Sequence, residues 1–256
     1  MTSPVAGLTN TLLEQIGAGG EYSTFFDEKK RKAVWQALFD AYYAEHADKE
    51  VIFDTSRIWT ARLHQLTELF DDFKVICCVR DPAWVMDSLE CIYRKNPFDY
   101  SRMFTPNSRQ TVYSRCESLM GGNGLVGSAW TALKEAYYGE QSRRLLLVDY
   151  DLLTQFPRKA LQLIYRFIDE PWFEHDFDNV IYEENEFDQK LGVNGLHTVK
   201  RKVEFIPRRT ILPPDLFTRF QQMSFWHDTS GTAAHLIAPK APVFDHGDAR
   251  ACATGR

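Results

Sequence analysis

Residues 74–82, Lys-Val-Ile-Cys-Cys-Val-Arg-Asp-Pro, constrain the fold more than any other stretch. Val75 to Val79 are all apolar or thiol residues, β-branched at Val75, Ile76 and Val79, with no alternating polar positions. That pattern predicts a short strand buried on both faces, as in a parallel sheet. Asp81 before Pro82 is an N-cap followed by proline at the first helical position, so a helix starts directly after the strand. Arg80 therefore stands at a strand-to-helix crevice. Ligands of open α/β sheets bind there, and a guanidinium beside a helix N-terminus suits a phosphate. Ser88 follows about two helical turns later. The competing reading of Arg80 is structural: a carbonyl cap or a partner for an acid.

Two more apolar runs read as strands of the same sheet. Val51-Ile52-Phe53 closes on Asp54-Thr55-Ser56-Arg57, and Leu145-Leu146-Leu147-Val148 closes on Asp149-Tyr150. Helical periodicity separates the runs, over residues 59–70 and again over 107–119 and 125–138, and intervening helices require parallel strands. Asp54 and Arg57 then face the crevice of Arg80, either as an acid and base pair or as a pair that orients the loop. Further helices are predicted over 8–16, 25–46, 159–167 and 213–225. Gly17 to Gly20 ends the first of them. With no strand leading in and no Lys-Ser or Lys-Thr following, that cluster is a C-cap loop rather than a phosphate loop. The helices at 107–138 suit a substrate lid or ordinary packing, and Trp59, Trp84, Tyr93, Phe98 and Tyr100 suit an acceptor pocket or a core. Residues 1–228 read as one α/β domain and 229–256 as a loosely ordered tail.

A chain of 256 residues is long enough for one such domain. Its net charge of −5 argues against a general nucleic-acid surface but leaves room for a local basic pocket. Five cysteines, without metal-ligand spacing, point to a reducing, cytoplasmic setting and to no metal site. Neither an apolar run of about 18 residues nor a secretory leader is present, so no membrane span is expected. The lack of a Gly-rich Lys-Ser/Thr loop disfavours a nucleotide kinase.

Arg80-Asp81-Pro82 after an apolar strand, with Ser88 eight residues beyond the arginine, resembles the motif by which PAPS-dependent sulfotransferases hold the 3′-phosphate of their nucleotide. The resemblance implies a P-loop-NTPase-like parallel sheet flanked by helices, with Arg80 and Ser88 as phosphate ligands and no metal. Tyr150, followed by Asp151, Leu153 and Pro157, resembles the Tyr-Glu-Asp-Leu…Pro segment of that family, which implies that Tyr150 contacts the nucleotide; Leu152 replaces the second acid. Residues 186–192 and 195–203 resemble a bacterial branch of the family. A late arginine–lysine pair against the 3′-phosphate implies Arg201 and Lys202, although Val203 stands where a glycine usually follows. His197 and Asp54 are the candidate bases. In isolation, His197 reads equally as a structural histidine and Lys200 to Lys202 as a surface run.

One family element is absent from the sequence. Sulfotransferases begin with a strand and a Pro-Lys/Arg-Ser-Gly-Ser/Thr-Thr loop that holds the 5′-phosphosulfate, whereas Met1 to Val5 resembles a segment that comes later, by roughly one strand and one helix. By fold-level analogy the missing first strand lies between those ending at Val79 and Val148. Its absence leaves two apolar edges unpaired or makes them pair with each other. The expectation is a sulfotransferase-family enzyme that moves a sulfuryl group from PAPS to a hydroxyl or amine of a small-molecule or peptide acceptor. As an N-terminally shortened chain it is expected to be impaired or inactive, with an upstream extension supplying the loop. The alternative is a non-catalytic module of the same fold that binds nucleotide or protein.

Overall fold

The computed structural model describes residues 3–95, 98, 103–182, 188–190, 197 and 199–238. A parallel sheet of strands β1 (Val75–Val79), β2 (Leu145–Asp149) and β3 (His235–Ile237) runs in the order β1-β2-β3. Leu145 to Val148 of β2 are all buried. Because side chains alternate across a strand, Leu145 and Leu147 enter one core with Val5, Phe39, Trp59 and Tyr137, while Leu146 and Val148 enter another with Ile164 and Ile237. Helices therefore cover both faces. α1 (Val5–Ile16), α2 (Glu28–Tyr42), α3 (Leu63–Leu69) and α6 (Gly127–Tyr138) lie against the first face, and α8 (Pro157–Ile168) against the second. α4 (Pro82–Lys95), α5 (Val112–Met120) and α9 (Pro214–Gln221) build a third cluster around Met86, Leu119 and Phe220. α7 (Tyr150–Gln155) follows β2 directly.

The local signals explain where these helices begin and end. Asp27 caps α2 by accepting from the Lys30 amide, Thr111 and Ser114 form a capping box on α5, and Asp149 caps α7 by accepting from the Leu152 amide. Asp81 accepts from the Ala83 amide at 2.8 Å, as an N-cap before proline should. After α1 the chain turns through Gly20, where an added Cβ would stand 2.5 Å from the carbonyl oxygens of Glu14 and Gln15, so only glycine fits. α5 and α6 pack into the core: Tyr137 is fully buried, and the Trp130 indole donates to the Met223 carbonyl at 2.9 Å.

The structure departs from the sequence reading in three places. Val51 to Asp54 is not a strand; Phe53 is 67% exposed, because among the described residues no strand lies alongside to take up the backbone groups. β1 is not dry on both faces: only Val79 is buried, Val75 to Cys77 are half-buried and Cys78 is exposed, as suits a strand with a single neighbour. β1 and β2 pair directly, Val75 opposite Leu145 through Val79 opposite Asp149. Third, His235–Ile237, inside the stretch read as a tail, pairs parallel with β2 and buries Ile237. A three-residue strand is too short to show periodicity. The expected break at 96–100 (apart from Phe98), the glycine-bearing loop 191–196 and residues 239–256 lie outside the described residues.

Leu147 is fully buried at the centre of the sheet, so Leu147→Ala should cost about 2–5 kcal/mol, read as a lower urea midpoint at unchanged slope.

Candidate functional site

The parallel register sets the site. Val79 and Asp149 are partners at the carboxyl ends of β1 and β2, so the residues that follow, Arg80 and Tyr150, come off the sheet side by side. The Arg80 guanidinium lies over the Tyr150 ring, 4.3 Å from its centroid. It also donates from Nη1 to Ser88 Oγ at 3.4 Å, a contact made possible because α4 starts immediately and returns Ser88 about two turns on. Arg80 makes no ion pair among the described residues, and its Nε is buried without a hydrogen-bond partner.

A second guanidinium meets the first at the same hydroxyl. Arg208 Nη2 donates to Ser88 Oγ at 2.8 Å, and its guanidinium lies 5.3 Å from the Trp84 ring centroid. Arg208 is held from behind by Asp87, which is fully buried and forms an ion pair with Arg208 Nη1. Asp87 Oδ1 also accepts from Thr210 Oγ1 and from the Ile211 amide, both at 2.7 Å. These bonds fix the segment that carries Arg208 onto α4. Ser88 Oγ now accepts twice, which uses both lone pairs and leaves its proton to donate. Two cations and one O–H donor thus converge on a half-buried point, and among the described residues only Arg208 has a carboxylate partner. Nearby, burial raises the Asp81 and Asp151 carboxyls above the usual range, and Asp149 adds to the effect at Asp151.

The other predicted residues have partners of their own. Arg201 donates to Asn179 Oδ1 at 2.9 Å and Lys202 pairs with Asp178 at 3.2 Å, both on an exposed ribbon where the 177–180 and 201–203 backbones bond to each other. No contact joins either of them to Arg80 or Ser88 among the described residues. Arg208, which takes up that place, belongs to the second late basic pair, Arg208-Arg209. Its signal was the Asp87-Ser88 dipeptide, a carboxylate on the buried side of a helix that calls for a distant cation. Asp54 accepts from the Tyr43 hydroxyl at 2.5 Å and the Trp59 indole at 3.0 Å, so it ties its loop to α2; Arg57 is exposed. His197 Nδ1 lies 2.5 Å from Oδ1 of Asp188, a residue only 2% exposed, whose other oxygen accepts from the His197 amide at 2.9 Å. A carboxylate can only accept, so Nδ1 carries the proton of that bond.

Among the described residues no group of His, Cys, Asp and Glu is arranged to hold a metal ion, and no helix is long and apolar enough to cross a membrane. Burial pushes the Cys77 and Cys116 thiols up to about 12 and about 11, so neither is a thiolate nucleophile at neutral pH.

A family model for the sulfotransferase domain matches residues 57–190. The chain belongs to the sulfotransferase family. No curated protein matches it. The sulfotransferase match spans Arg80, Ser88, Tyr150 and Asp188, and the parallel α/β sheet agrees with that fold. Arg208 and His197 lie beyond it.

Burial, reinforced by the bond to Asp54, lifts the Tyr43 hydroxyl from 10.0 to about 12. A folded-state value above the unfolded one means that the unfolded chain loses the proton first, so this stabilisation is complete below about pH 10 and is lost as pH rises through about 12. The difference in melting temperature between the wild type and Tyr43→Phe should shrink over that window; a constant difference would refute the assignment.

Proposed function

We propose that this chain binds PAPS and transfers its sulfuryl group to a hydroxyl or amine acceptor, with Arg80, Ser88 and Arg208 holding the 3′-phosphate. The carrying observation is the pair of guanidiniums on one serine hydroxyl, with no carboxylate partner for Arg80 among the described residues. A phosphate dianion fits this arrangement. It would accept from both cations and from the Ser88 proton, and would give the buried Arg80 Nε a partner. Tyr150, packed under Arg80 and partly exposed, offers its remaining surface to the nucleotide. Arg201 and Lys202, placed on the outer ribbon, are not required by this reading.

PAPS supplies the activated sulfuryl group, and the chain's own residues position it and handle the acceptor proton. Of the two sequence-derived bases, His197 fits better than Asp54. Asp188 holds the His197 ring through Nδ1, whereas Asp54 accepts from Tyr43 and Trp59 and so ties its own loop to α2. The acceptor is a small molecule or peptide presenting a hydroxyl or amine.

A second reading, nucleotide capture without transfer, is favoured by the direct pairing of β1 with β2, where the resemblance places a loop-bearing strand between them. Calorimetry with 3′-phosphoadenosine 5′-phosphate tests the shared part. The wild type should bind, and Arg80→Ala should bind about 10- to 100-fold more weakly, as expected for losing charge-assisted hydrogen bonds. Equal affinity would overturn both readings. PAP release from PAPS with a panel of hydroxyl and amine acceptors separates them. Under the catalytic reading, His197→Ala lowers kcat by roughly 10²- to 10⁴-fold and leaves PAP affinity unchanged.

A further inference from the structure

The amino-terminal end of the sheet carries a feature that the nucleotide site does not use. Lys74 stands just before β1, Arg143 and Arg144 just before β2, and His235 opens β3, so the parallel register gathers them at one edge. Arg166, in the last turn of α8, joins them around a cleft of about 700 Å³. Among the described residues Asp72 is the one acid lining this cleft, in a chain whose net charge is −5, so the cations are concentrated here rather than shared out by composition. No ion pair among the described residues engages Lys74, Arg143 or Arg166. Arg144 is fixed in place: it stacks on Phe73 at 4.5 Å and donates to the carbonyls of Phe73 and Asp71, while its buried Nε has no partner.

The walls are apolar. Phe73, Leu163, Phe167 and Leu236 line the same cleft, and the His235 ring packs on Phe167 at 5.1 Å. Uncompensated cations beside an apolar wall favour a ligand with a charged group and an apolar body. Five strand residues, at about 3.3 Å each, put roughly 16 Å between this edge and the Arg80 end, so one small ligand cannot occupy both.

We infer that this cleft is a second binding site, for an organic anion that carries a sulfate, sulfonate or phosphate group on an apolar body. The anion sits between Arg143, Arg166 and Lys74, and the apolar part lies against Phe73 and Phe167. The site is separate from the proposed nucleotide site and does not depend on that assignment.

The probe is 2-naphthyl sulfate, titrated calorimetrically into the full chain. The wild type should bind it, and 2-naphthol, the same body without the charge, about tenfold more weakly or worse. The double variant Arg143→Glu/Arg166→Glu changes only exposed side chains, so circular dichroism should show an intact fold. It should weaken naphthyl sulfate binding by about tenfold or more, since two attractions become repulsions. Arg80→Ala should bind the probe as the wild type does. Absence of binding to the wild type, equal affinity in the double variant, or loss in Arg80→Ala would each overturn the inference.

Discussion

The parallel pairing of β1 with β2 is the constraint on which the rest of the molecule depends. Both strands point the same way and end level, at Val79 and Asp149, so whatever follows each strand must emerge at one edge. Arg80 and Tyr150 meet for that reason, and two helices, α4 and α7, start beside them from aspartate caps. The same register brings the residues that precede the strands to the opposite edge, where the cations collect. One ladder thus organises two chemically distinct ends, and the buried run Leu145 to Val148 keeps them apart.

The second fixed point is the buried carboxylate of Asp87. A charge taken wholly out of water costs several kcal/mol unless it is paired and hydrogen-bonded. Asp87 is satisfied by Arg208, Thr210 and the Ile211 amide, all from a segment more than a hundred residues later in the chain. The requirement works in both directions: the acid is tolerated because the segment docks, and the segment docks in one register because the acid must be neutralised. That register sets Arg208 on Ser88, which turns a single arginine at a strand end into a site with two cations.

Local signals carried much of this into the sequence. The apolar runs at 75–79 and 145–148, the Asp81-Pro82 helix start and the spacing from Arg80 to Ser88 involve neighbours in the chain, and the family resemblance rests on them. What the sequence did not show depended on partners. The run at 51–53 has strand composition, yet no strand among the described residues pairs with it, and Asp54 is placed by the side chains of Tyr43 and Trp59. β3 is only three residues long and owes its existence to the exposed edge of β2. The basic string Lys200 to Lys202 was the more conspicuous candidate, but Arg201 and Lys202 have partners at Asn179 and Asp178, while Arg208 was hidden in an ordinary Pro-Arg-Arg-Thr stretch. Charge density in a sequence marks where cations are, and burial of the opposing acid decides which one is recruited.

The bond from Arg208 to Ser88 spans 120 positions of the chain. An anion held jointly by Arg80, Ser88 and Arg208 would act as a reversible clasp between α4 and the late segment, closing a long loop that backbone pairing alone leaves open. Occupancy and conformational stability then become one linked equilibrium, in which the protein resists unfolding in proportion to the logarithm of ligand concentration. The empty and filled forms would accordingly differ in how readily the late segment peels away from α4, with the sheet itself unchanged.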